Sequence, residues 1–196
     1  MFSFLIKRLS AAALLLLCVS CEVETVEVQP RPPEPIAVTY TIPQGQHTTQ
    51  SPFKFIESPV MRFEATFDNS AVYATTDPKN QADINKLYGM SDCGSDHHSN
   101  SARFGWRWYA NRLEIHAYTY QNKKRNTAYI TTVELEKSSR YELEIGEREY
   151  IFRVNDTQVS MPRFCVGAAG LGYQLYPYFG GDETAPHTVT ILIKDL

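Results

Sequence analysis

Between Arg103 and Thr131 the chain reads RFGWRWYANRLEIHAYTYQNKKRNTAYIT, where guanidinium, phenol, imidazole and carboxylate groups recur at alternate positions. With a period of two, Arg103, Arg107, Tyr109, Glu114, His116, Tyr118, Tyr120, Arg125, Thr127 and Tyr129 fall in one set. Phe104, Trp106, Trp108, Leu113, Ile115 and Ala117 fall in the other. Guanidiniums recognise carboxylate or sulfate through charge-assisted hydrogen bonds. Phenol rings stack on apolar C–H faces while their hydroxyls reach a ligand's polar groups. The set therefore suits binding of an anionic ligand that offers both hydroxyls and apolar C–H faces.

Holding these groups together requires three successive antiparallel strands. A two-residue loop at Ala110-Asn111 pairs Arg107 with Glu114, Gly105 with His116 and Arg103 with Tyr118, while a four-residue loop shifts the partners by two and keeps the faces. A three-residue loop would set Arg107 against Ile115 and is disfavoured, because a slip of one residue moves a whole side-chain set through the sheet. A second turn at Asn122-Lys123 sets His116 against Tyr129 and Ile115 against Ile130. Gly105, lacking a side chain, is expected to leave room for a ligand against the backbone. A merely solvated sheet face would fit the same alternation, but such faces usually carry more Lys, Glu, Ser and Thr.

The rest of the chain is also strand-like. Phe53–Ile56 and Val60–Phe67 read as strands, the second alternating Met61, Phe63, Ala65 and Phe67 with Arg62, Glu64 and Thr66. Residues 68–102 are polar and turn-rich, with one short helical turn expected over Asp83–Tyr88 and stopped by Gly89. A loop of that length inside a domain is often functional. Its end concentrates Asp92, Cys93, Asp96, His97 and His98. Adjacent histidines do not easily converge on one ion and the spacing fits no usual zinc pattern, so no metal is expected; a calcium site using Asp92, Asp96 and backbone carbonyls is the alternative to an ordinary polar loop. Tyr141, Leu143 and Ile145, then Tyr150, Phe152 and Val154, begin a second meander whose turn at Asp156-Thr157 sets Val159 opposite Val154 and Met161 opposite Phe152. In Tyr173–Phe179 alternation places Gln174, Tyr176 and Tyr178 opposite Leu175 and Phe179, with Pro177 marking an edge or bulge. His187–Lys194 closes the chain, offering Val189, Ile191 and Ile193 to the core. Many short alternating strands and almost no helix predict an all-β, two-layer sandwich or barrel.

The N-terminus reads as a signal segment over residues 1–20, with Lys7 and Arg8 before an apolar run from Leu9 to Val19 that is short for a membrane span. Its loss would leave a chain two charges more negative than the −3 of the whole sequence, and no basic cluster argues for nucleic acid as a partner. Residues 21–51 hold repeated Pro and four Glu against a single Arg, the composition of an extended tether. That leaves about 145 residues, 52–196, for one domain. Beyond Cys18 and Cys21 only Cys93 and Cys165 remain, free to pair in an oxidising compartment or to stay as buried thiols.

Two stretches carry resemblances. Cys18-Val19-Ser20-Cys21 resembles a bacterial lipobox, with Cys18 where Leu is usual; this implies a lipid on Cys21 and a membrane anchor in the cell envelope. Glu22, Glu24 and Glu27 are similar to the export signal of Bacteroidetes-type surface lipoproteins, which implies the outer membrane, facing the periplasm or the outside. RYELEIGEREYIFRVNDTQVSMPR resembles the strand-strand-turn-strand signature of concanavalin A-like lectin and glucanase jelly rolls, with Asp156-Thr157 where a glycine is usual, and QLYPYFGGDETAPHTVTILI is similar to their final strands. The resemblance implies a two-layer antiparallel jelly roll with a glycan lying across the polar sheet. Tyr109, Tyr118, Tyr120, Tyr129, Tyr176 and Tyr178 would then stack or hydrogen-bond. Arg103, Arg107 and Glu114, with His116 among them, would fix orientation and favour an acidic glycan. LEIHAY is also similar to the Gln-Ile-His strand of alginate-type lyases, with Glu114 in place of the glutamine. In such lyases an arginine neutralises the uronate carboxylate while a histidine and a tyrosine remove and return the proton; here Arg107 or Arg103, His116, and Tyr118 or Tyr178 would be that catalytic set, with no cofactor. The glucanase ExDxxE pattern is absent, and an adhesive or structural surface protein is the remaining alternative.

Overall fold

Met61, Phe63, Ala65 and Phe67 are buried while Arg62, Glu64 and Thr66 between them stay wetter, and this period of two recurs in most of the chain. The structure, a computed structural model, describes residues 34–196; the expected signal segment, Cys21 and the first part of the expected tether lie outside the described residues. The strands in chain order are β1 Val38–Ile42, β2 Phe55–Glu57, β3 Val60–Phe67, β4 Asn85–Ser91, β5 Ser101–Tyr109 and β6 Arg112–Gln121. They continue as β7 Lys124–Val133, β8 Ser139–Ile145, β9 Glu149–Val154, β10 Thr157–Pro162, β11 Leu171–Leu175 and β12 Val189–Asp195. Sheet 1 has the order β1-β12-β3-β8-β9-β10 and sheet 2 the order β2-β11-β4-β5-β6-β7, all neighbours antiparallel. The domain is an all-β two-layer sandwich. Late strands β12 and β11 slot between early ones, the long-range winding of a jelly roll.

The layers meet through aromatic side chains. Phe63 lies parallel to Tyr141 at 4.9 Å, and Phe104 sets its edge against Tyr141 and Phe152 at 5.1 and 5.2 Å. Trp106 is fully buried between the sheets, while Trp108 is half-buried against the same core. Tyr141 Oη lies in this core with no hydrogen-bond partner among the described residues. Tyr141→Phe keeps the stack and removes a desolvated hydroxyl, so it is expected to stabilise by about 1 kcal/mol, a rise of roughly 2–4 °C in melting midpoint. A fall of that size in a thermal melt would mean the hydroxyl is satisfied in solution.

Three expectations are corrected. β1 pairs with β12 inside the stretch read as tether, so the sandwich begins well before residue 52. Asp83–Tyr88 is not a helical turn: Asn85 starts β4, and the helical elements among the described residues are 3-10 turns at Asn69–Ala71 and Pro78–Ala82. The register of β4 against β5 shifts between Lys86 and Gly89, which lets the adjacent Leu87 and Tyr88 both be buried and destroys the alternation that marks a strand. The turn of the second meander is Asn155-Asp156, so Val159 faces Phe152 and Met161 faces Tyr150; the register moves by two and the faces are kept.

Candidate functional site

In β5, β6 and β7 the polar set lies on the face of sheet 2 away from the core. Arg103 pairs with Tyr118, Gly105 with His116 and Arg107 with Glu114, the register of a two-residue loop. Ala110 and Asn111 have φ of 51° and 58°, and Asn122 and Lys123 have 49° and 67°, the left-handed pairs of tight hairpins. His116 faces Tyr129 as expected, but a shift between Ile115 and His116 sets Ile115 opposite Thr131 instead of Ile130.

One half of this face is closed upon itself. Glu114 accepts hydrogen bonds from Arg107 Nε at 2.8 Å and Arg112 Nε at 2.9 Å, and His116 Nε2 stands 3.3 Å from it. Arg107 also donates to the Ala82 carbonyl at 2.6 Å and lies over the Tyr109 ring at 4.6 Å. Burial pushes the Glu114 carboxyl up, but the hydrogen bonds from Arg107 and Arg112 outweigh it and hold it below the usual range. Burial and then Arg107 hold the His116 imidazole below its usual value, against the pull of Glu114. His116 is only 5% exposed, with Tyr129 edge-on at 5.7 Å. The space expected over Gly105 is taken, since a Cβ there would stand 2.4 Å from an Ile84 methyl. Arg107 therefore already has its counter-charge, and of the two guanidiniums in the set implied by the lyase resemblance only Arg103 is left to face a uronate.

The other half is different. Arg103 is 8% exposed; its Nη2 donates to the Tyr176 carbonyl at 2.7 Å, and its buried Nε has no partner. No carboxylate among the described residues lies within ion-pair distance of Arg103, Lys86 or Arg125. Burial, partly offset by Tyr118, Tyr178, Tyr120 and Tyr173 around it, pulls the Arg103 guanidinium down to about 10. Lys86 Nζ sits 5.3 Å from the Tyr118 ring and 5.1 Å from the Tyr178 ring and donates to the Gly180 carbonyl. Burial, then Arg103 and Arg125, push the Lys86 ammonium down to about 8. His47 stacks on Tyr178 at 5.1 Å, and Tyr120 stands 6.0 Å from Tyr118. Gly89 makes this floor: a Cβ there would stand 2.3 Å from the Ala102 carbonyl oxygen and 2.4 Å from Arg103 Cα.

Of the expected residues, Arg103, Tyr118, Tyr120 and Tyr178 converge here, and Tyr109, Arg107, Glu114 and His116 form the closed half, with Tyr129 half-exposed beside them. Tyr176 does not join: it packs on Tyr40 and Tyr88 at 5.7 and 5.9 Å, on the core side, because the chain loses its alternation at Pro177. Lys86, His47 and Tyr173 went unread. Lys86 was hidden by the helical reading of its segment, and Tyr173 by being in register with Leu175.

Next to this patch, the 91–100 turn divides its charges. Asp92 is fully buried and engaged by Arg163, with Nε at 2.6 Å, and by the Tyr150 hydroxyl at 2.9 Å, which removes it from any calcium site shared with Asp96. Cys93 and Cys165 are joined as a disulfide. Asp96, His97 and His98, by contrast, lie at the surface.

No family model and no curated protein matches the chain. Among solved structures it is similar to a carbohydrate-binding module from Bacillus subtilis, at 10% identity and a TM-score of 0.39 over 82% of this chain and 92% of that one. It is similar to a native glycosidic hydrolase at 11% identity and a TM-score of 0.49, covering 82% of this chain and 77% of the other. It is also similar to a prokaryotic β-1,3-1,4-glucanase derived from a mouse hindgut metagenome, at 10% identity and a TM-score of 0.45, covering 81% and 79%. All three likenesses are of overall fold, and none assigns this chain a ligand or a reaction.

Proposed function

We propose that this chain is a lipid-anchored protein of the bacterial cell envelope whose sandwich binds an acidic glycan at Lys86, Arg103 and Arg125. The observation that carries the reading is the contrast between two guanidinium environments on one sheet. Arg107 is neutralised by Glu114, whereas Arg103 is buried beside Lys86 without a carboxylate and with Nε unpaired. A buried cation without a partner is costly, and a ligand carboxylate or sulfate would relieve that cost. Tyr118, Tyr120 and Tyr178 surround the cations with ring faces and hydroxyls, the surface a sugar ring requires.

The test is gel retardation and calorimetry of the purified chain against neutral, uronate and sulfated polysaccharides. Retardation is expected with the charged polymers alone. Arg103→Met should weaken it by roughly 10–150-fold, the loss of one charge-assisted contact, while Arg107→Met should leave it within about threefold. Because Lys86 loses its proton as pH rises through about 8, affinity should fall between neutral pH and pH 9. Equal binding of neutral and charged polymers, or undiminished binding by Arg103→Met, would sink the proposal. Unsaturated-product absorbance in the same incubations would instead identify an enzyme.

A further inference from the structure

We infer that Asp96, His97 and His98 form a binding site for a transition-metal ion of the zinc type, beside the cationic patch and independent of what that patch binds. Adjacent histidines were expected not to converge, yet here one carboxylate oxygen and one ring nitrogen from each imidazole all lie within 4.8 Å of one another. Asp96 Oδ2 stands 3.7 Å from His97 Nδ1, and Asp96 Oδ1 stands 3.6 Å from His98 Nδ1. Donors about 2.0–2.2 Å from a tetrahedral ion stand about 3.3–3.6 Å apart, so a set within 4.8 Å closes by an inward movement of about 1 Å. The two ring centroids lie 4.1 Å apart.

The turn is held in this shape from several directions. The His98 and Ser99 N–H groups donate to Asp96, to its side chain and its carbonyl, both at 2.8 Å. Ser101 Oγ donates to the His97 carbonyl at 2.7 Å, and the Asn122 N–H donates to Asn100 Oδ1 at 3.0 Å, tying the turn to the next hairpin. On the side of these donors, Tyr173 Oη accepts from the His97 N–H at 3.1 Å and stands 2.8 Å from His97 Nδ1. It is placed to fill a fourth position, since a hydrogen bond to Nδ1 would occupy the lone pair that the ion takes. Two imidazoles and one carboxylate with an open position suit zinc or another first-row ion; calcium asks for six to eight oxygens.

The experiment is calorimetric titration of the untagged full chain, stripped with chelator, with Zn2+ alone and with Zn2+ in excess Ca2+. One Zn2+ per chain is expected, unmoved by Ca2+. His98→Ala and His97→Ala should each weaken it by about a hundredfold, and Tyr173→Phe by about tenfold or more. His187→Ala, whose Nε2 contacts the Ser70 carbonyl at 2.8 Å away from this turn, should leave it unchanged. Thermal melts of the stripped variants, expected to match the parent, separate loss of ligand from loss of fold. Absence of stoichiometric Zn2+ uptake, uptake undiminished in the folded His98→Ala chain, or displacement by Ca2+ would overturn the site. Glycan retardation measured on the same variants reads the patch separately, so either site can fail without the other.

Discussion

Arg163→Met is expected to lower the free energy of unfolding by about 3–5 kcal/mol in denaturant titrations. The guanidinium and the Asp92 carboxylate it meets at 2.6 Å are 3% and 0% exposed, so methionine would leave a carboxylate inside the protein with no cation. Tyr150 Oη, the Cys93 N–H and the Gly170 N–H would still donate to Asp92, at 2.9, 2.8 and 3.3 Å, but three neutral donors do not replace a charge. Asp92→Asn in the Arg163→Met background should recover part of the stability. A loss below about 1 kcal/mol would mean the pair is solvated.

Replacing both Cys93 and Cys165 by serine is the second large effect. The bridge spans 72 residues of sequence, and closing a loop of that length restricts the unfolded chain by about 4 kcal/mol in the chain-entropy account. A fall of about 2–4 kcal/mol is expected, or roughly 5–15 °C in melting midpoint. The bridge and the ion pair are neighbours: the Cys93 N–H donates to Asp92, and Arg163 Nη2 reaches the Gly167 carbonyl at 3.2 Å. Their losses should therefore add to less than their sum, since each loosens the segment that positions the other. Strict additivity in the triple variant would show that the two act on separate parts of the fold.

Where the ladder is regular, residue alternation was enough to read this protein. The β5–β6 pairing follows from Arg107 facing Glu114 and from a turn of two residues, and both hold. Legibility ends where the ladder breaks. Leu87 and Tyr88 enter the core side by side at a register shift, so β4 reads as a helical turn and Lys86 vanishes from the site. Pro177 sends Tyr176 inward and Tyr178 outward, although period two puts them together. β1 lies in a Pro-rich stretch whose composition says tether, and only its partner β12, some 150 residues away, makes it a strand. The division of the polar face into a neutralised and an unneutralised half was out of reach for the same reason. Sequence shows that Arg103 and Arg107 share a face, but which of them meets an acid depends on side-chain reach across β6.

The missing side chain at Gly89 has a consequence for how recognition here can drift. Arg125 sits toward the outside and can be exchanged singly, grading the proposed appetite for anions up or down, whereas Lys86 is packed against the Tyr118 and Tyr178 rings. The depth at which Arg103 lies has no such freedom, because even a methyl at position 89 would collide with the backbone that carries it. For the proposed ligand, Gly89 thus fixes the height above the sheet at which an anionic group meets Arg103.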